Sequence, residues 1–135
     1  MRFLLLAALA ALPLAACDDD DDGGTEAQRR GIGAACDNND ECVGGGDAGM
    51  GDAGLTCLPF KGGYCGDKDC MADSDCPAGS ACVTFEGSNY CFLVCADKPE
   101  CNRYRPVEDE SNCSANLEFL EDRAGRKVCV PPSGG

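Results

Sequence analysis

The chain has 135 residues, 24 of them acidic and 11 basic, a formal charge of −13 and no histidine. So acidic a surface repels nucleic-acid phosphates and anionic membrane head groups. The missing imidazole removes the usual general base, the serine and cysteine triads and the commonest zinc ligand. Thirteen cysteines and no tryptophan describe a chain with too few large apolar groups to offset its conformational entropy by burial alone, so cross-links must carry much of the fold.

In chain order, Arg2 precedes an apolar run from Phe3 to Leu14, then Ala15, Ala16 and Cys17. A positive charge, about a dozen apolar residues and small residues before a cysteine read as a signal peptide over 1–16, and the run is short of the roughly twenty residues a membrane span needs. Leu14-Ala15-Ala16-Cys17 resembles the lipobox of bacterial lipoproteins, which implies a diacylglyceryl and acyl modification on Cys17 and a membrane anchor through that lipid. Parity agrees: thirteen cysteines are odd in an exported chain, and lipid on Cys17 leaves twelve for six bridges in an oxidising compartment. The implied location is the cell envelope, with the outer membrane, the cell surface and the periplasmic face of the inner membrane all open.

Asp18 to Asp22, Gly23-Gly24 and the polar stretch beyond predict an acidic flexible tether over 17–35, with the aspartates serving as spacer or as a sorting signal. The remaining cysteines form three sets of four: Cys36, Cys42, Cys57, Cys65; Cys70, Cys76, Cys82, Cys91; Cys95, Cys101, Cys113, Cys129. Each set opens with C-x5-C and places an acid (Glu41, Asp75 or Glu100) just before its second cysteine, so the unit is an internal repeat. The fold class expected is a small disulfide-rich one: three tandem four-cysteine modules over 36–65, 66–91 and 92–132 with short β-hairpins, little helix and mostly loops, and a disordered tail over 133–135.

The first two modules each predict a hairpin whose strands carry the third and fourth cysteines around a glycine turn, and Pro59 makes its strand an edge strand. In the third, Asp122 to Gly125 suggests the turn before Arg126-Lys-Val-Cys-Val130, although Leu117, Leu120 and Ala124 would also suit a short helix. Gly44 to Gly54, in which Gly-Asp-Ala-Gly occurs twice, reads as a surface loop inserted over 43–54. Sequence leaves connectivity open; first to third and second to fourth within each set is the pairing expected.

The run Cys70-x5-Cys76-x5-Cys82-x8-Cys91-x3-Cys95-x5-Cys101, with Asp73-Ser-Asp75-Cys-Pro-Ala-Gly79 inside it, resembles the beginning of the Dickkopf-type N-terminal cysteine-rich domain. The adjacent Cys-Cys pair that follows in that family is absent. The resemblance implies a small bridged module with short hairpins that serves as a protein-binding platform, and it carries no catalytic or receptor-binding residue across.

No G-x-S-x-G, P-loop or CxxC occurs, and no catalytic residue stands out. Asp37 with Asp40 and Glu41, Asp67 with Asp69, and Asp73 with Asp75 could offer hard oxygens to Ca2+, but none fits an EF-hand loop, and solvated turn aspartates are the simpler reading. Phe60, Tyr64, Phe85, Tyr90, Phe92, Leu93 and Val94 could form either a recognition surface or the cover over the disulfides. Arg103, Arg105, Arg123, Arg126 and Lys127 could form an anion patch or pair with the acids of their own module. The expectation is a non-enzymatic envelope lipoprotein whose ectodomain binds a protein or glycan or has a structural role, with a Ca2+-dependent adhesive or ion-binding protein and an extracellular protease inhibitor as alternatives.

Overall fold

The computed structural model describes residues 24–42 and 55–133; the leader, Cys17 and the inserted loop lie outside the described residues. A short helix, α1 (Glu26–Arg29), opens the fold. The Thr25 hydroxyl accepts from the Gln28 N–H at 3.3 Å and the Gln28 carboxamide accepts from the Thr25 N–H at 2.8 Å, a reciprocal cap that holds a single turn no isolated peptide would keep.

This corrects the expected tether. Ala27 and Ile32 are buried, and the segment is laced to the rest of the chain by backbone bonds: Ala27 N–H to the Ala78 carbonyl at 2.9 Å, Gly33 N–H to that of Cys65 at 2.9 Å, and Ala35 N–H to that of Tyr104 at 3.2 Å. The composition is polar, but the two apolar side chains fall where the hairpins leave a gap. Only 17–23 of the predicted tether stays outside the described residues.

Three pairs of strands follow. β1 (Thr56–Leu58) and β2 (Tyr64–Lys68) form the first hairpin, β3 (Ser80–Phe85) and β4 (Ser88–Leu93) the second, and β5 (Asn112–Ser114) pairs with β7 (Val128–Val130). The turn Glu86–Gly87 has φ of 48° and 82°, the two left-handed residues that match a two-residue turn to strand twist. Gly63, φ 65°, passes so close to Cys36 that a Cβ would run into the Cys36 carbonyl.

In every pair the third and fourth cysteines face each other in register: Cys57 opposite Cys65, Cys82 opposite Cys91, Cys113 opposite Cys129. The bridges run Cys36–Cys57, Cys42–Cys65, Cys70–Cys82, Cys76–Cys91, Cys95–Cys113 and Cys101–Cys129, first to third and second to fourth in each set. The fold is a small disulfide-rich one, with two short helices and mostly antiparallel strands and loops.

No cystine crosses between the sets, yet the sets are not separate bodies. Strand order in the larger sheet is β1-β2-β4-β3-β6: β2 continues past Cys65 to pair Asp67 with Cys91 and Lys68 with Tyr90, and β6 (Glu118–Phe119), from the third set, adds to β3. The expected module boundaries after 65 and 91 therefore fall inside β2 and β4. In the third set the hairpin is present rather than the helix, but its long connection lends β6 to its neighbour.

One apolar cluster runs beneath all of this, built from Ala27, Ile32, Leu58, Tyr64, Val83, Tyr90, Phe92, Leu93 and Val128. Tyr64 and Phe92 lie 4.9 Å apart, Tyr90 stacks on Phe92 at 5.7 Å, and Phe60 meets Phe85 at 5.6 Å. Phe92 and Leu93, candidates for a recognition surface, are core: as neighbours along β4 they point to opposite faces, and both side chains are buried.

Candidate functional site

The repeated acid before each second cysteine has a defined task. Glu41 accepts from the Asp37 N–H at 2.7 Å, Asp75 from the N–H groups of Met71 and Ala72 at 2.9 and 3.1 Å, and Glu100 from the Ala96 N–H at 2.9 Å. Each carboxylate thus closes its own C-x5-C loop by bonding back to the residue after the first cysteine. A second recurrence went unread in the sequence: the third residue of the loop, Asn39 or Asp73, accepts at 3.0 Å from the N–H of its module's third cysteine, Cys57 or Cys82. The third loop has Lys98 there and loses that bond, pairing instead with Glu110 at 2.6 Å.

These bonds decide the fate of the Ca2+ candidates. Asp73 gives one oxygen to the Cys82 N–H and the other to Arg126 at 2.6 Å, with Arg123 at 3.9 Å. Burial pushes its carboxyl up, but the bonds from Arg126 and Cys82 and the two arginine charges outweigh this and hold it below the usual range. Asp75 caps its loop through Oδ2, so of the two only Asp73 has both oxygens engaged. Asp37 and Asp40 are exposed on the first loop, and among the described residues they belong to no cluster of three or more metal-ligating groups. The sulfur triplets Cys36-Cys42-Cys57, Cys70-Cys76-Cys82 and Cys95-Cys101-Cys129 lie within 4.8 Å of one another because two bridges stack in each module; a bridged sulfur is not the thiolate a metal would require.

The basic residues of the third set also part company. Arg105 is 8% exposed, and its guanidinium donates to the carbonyls of Asp109 at 2.7 Å, Gly33 at 3.1 Å, Gly63 at 2.8 Å and Lys61 at 3.1 Å. It is therefore no anion-binding group but a staple that joins the N-terminal segment, the first hairpin and its own loop. Burial lowers its pKa, and Tyr64 and Asp109 pull it back up. Beneath it the Tyr64 hydroxyl donates to the Cys129 carbonyl at 3.0 Å and accepts from the Leu93 N–H at 3.2 Å; burial raises that phenol far above its ordinary value. Arg126 and Arg123 reach out to Asp73 of the second set, so the expected pairing within the third set gives way to pairing between sets.

Arg103 alone of the named binding candidates is exposed, at the rim of a dimple of about 20 Å³ that Ile32, Leu93 and Tyr104 help to line. That holds about one water. The larger depression is an open groove of about 440 Å³, within the range of ligand sites. Its walls are the β3–β4 turn (Thr84, Phe85, Glu86), the stretch from β5 into β6 (Asn112, Ser114, Asn116, Leu117, Glu118) and the chain after β7 (Val130, Pro131, Ser133). Asn112 and Ser114 share one face of β5 by strand alternation. Sequence reading missed this groove because its walls meet only once β6 has joined β3.

Comparison with protein-family models, curated proteins and solved structures yields no match. The fold itself defines a cysteine-rich, disulfide-bonded domain of an extracellular or envelope-type, oxidising location. Among the described residues no helix is long and apolar enough to cross a membrane.

Proposed function

We propose that this chain is a lipid-anchored envelope protein without enzymatic activity, whose bridged ectodomain is a rigid platform for binding a protein or glycan. The observation that carries this reading is the cysteine account: all twelve cysteines beyond Cys17 are consumed in six bridges, so Cys17, directly after Leu14-Ala15-Ala16, is the one thiol left for the lipid. Residues 17–23 then hold the folded part off the bilayer. The spacing likeness to Dickkopf-type modules supports a platform role and no particular partner.

Catalysis finds little support. The buried Tyr64 and Arg105 and the partly buried Asp73 are bonded to backbone and to one another's elements, which is what a structural network does. The test is an intact mass of the protein purified from membranes of an expressing bacterium. It should carry diacylglyceryl and acyl groups on an N-terminal Cys17 and take up no alkylating agent without prior reduction. A free thiol at any of the other twelve, or an unlipidated Cys17, sinks the reading.

A further inference from the structure

We propose that the groove between the β3–β4 turn and the β5–β7 pair binds an extended peptide segment bearing lysine or arginine. The proposal rests on the binding-platform reading and gives it a site and a ligand class.

Charge complementarity is the first argument. Among the described residues, the only ionisable side chains lining the groove are Glu86 and Glu118, with no lysine or arginine. By contrast Glu41, Asp75 and Glu100 are engaged as loop caps, and Glu110 and Asp73 in ion pairs. Among the described residues the carboxylates of Glu86 and Glu118 and the amides of Asn112 and Asn116 enter no side-chain hydrogen bond or ion pair. A cation entering here meets unneutralised charge, and the chain's formal charge of −13 steers basic partners toward it and anionic ones away.

The shape and floor argue for a peptide over a sugar. The groove is open and is lined by three stretches of chain, and Leu117, Val130 and Pro131 are its aliphatic lining, which suits the aliphatic stems that lysine and arginine bury while their heads stay polar. A saccharide site would want a free aromatic face. Phe85, the one aromatic ring here, is turned into the core cluster, 5.6 Å from both Phe60 and Phe92. Asn112 and Ser114, alternate residues of β5, offer polar groups at a spacing suited to the backbone of an extended chain.

The test uses the full oxidised chain, isotope-labelled for NMR, titrated with acetyl-Lys-Val-Lys-Val-amide, with acetyl-Glu-Val-Glu-Val-amide and with chitotetraose. The lysine peptide should shift amides at 84–86, 112–118 and 130–131 and weaken at least about threefold between low and physiological salt, while the other two stay silent. E86Q/E118Q should weaken the lysine peptide at least about fivefold, whereas D37N/D40N, an equal change of net charge on a distant loop, should leave it within about twofold. Equal loss in both double variants, no shift at millimolar peptide, or chitotetraose in the groove in place of the peptide overturns the proposal. The platform reading fails separately: it falls if Cys17 is unlipidated, and it stands if the chain holds a surface partner that E86Q/E118Q does not release.

Discussion

Arg105 is the side chain whose loss the fold would feel most. Its planar fork serves four carbonyls from three stretches of chain, with the guanidinium 5.8 Å from the centre of the Tyr64 ring. A lysine brings the same charge but one compact head that reaches one or two of those oxygens, leaving the others buried and without a donor. Arg105→Lys should therefore lose about 2 to 4 kcal/mol in urea unfolding of the oxidised protein. Arg103→Lys, two residues away and exposed, should stay within about 0.5 kcal/mol. A near-neutral Arg105→Lys would mean the carbonyls find water instead. Nothing in the sequence distinguished the two arginines, because burial of Arg105 depends on Gly33 and Gly63 arriving from distant parts of the chain.

At the level of elements, the C-x5-C loops are held by their terminal acids. Asp75→Ala removes the acceptor of two loop N–H groups and should lower stability by about 1 kcal/mol, with Ser74→Ala, beside it and exposed, nearly silent in the same denaturation. Asp73 ties its loop to the connection between β6 and β7 through Arg126, whose guanidinium also lies 5.8 Å from the centre of the Phe119 ring. Because the folded pKa of Asp73 lies below its unfolded value, its contribution is fully present above the unfolded value of about 3.9 and is lost as pH falls through the folded one. The stability gap between the parent and Asp73→Asn should be constant at neutral pH and close progressively below about pH 4; a gap unchanged at pH 2 would exclude the charged bond as its source. Much of this was legible. The cysteine spacing gave three hairpins and the recurrent acid marked each loop, both being local patterns that repeat. Thr25-x-x-Gln28 is likewise a readable helix start, but a polar segment beside an aspartate run masked it. The partner of Asp73 was illegible, since an ion pair between sets has no local signature.

For the molecule as a whole, the question is whether a covalently closed module can stand alone. Bridges restrict the unfolded chain, but they do not supply the surface a hairpin must bury. The second module keeps both its cystines in isolation, yet Tyr64 and Phe60, which pack on Phe92 at the end of the second hairpin, come from the first set. β6, which flanks its hairpin on one side, comes from the third set, and β2, which flanks it on the other, begins in the first. A peptide of residues 66–93, which completes the second hairpin, oxidised to Cys70–Cys82 and Cys76–Cys91 should therefore exchange the amides of Val83, Cys91 and Phe92 rapidly, whereas in the full chain, where Val83, Cys91 and Phe92 are fully buried, they should be among the slowest. Reduction of the full chain should abolish that protection everywhere at once, because the shared core and the bridges each fail without the other. If the isolated peptide instead kept native-like protection, the sets would be independent modules on a string, and the continuous sheet would be a surface on which they merely rest.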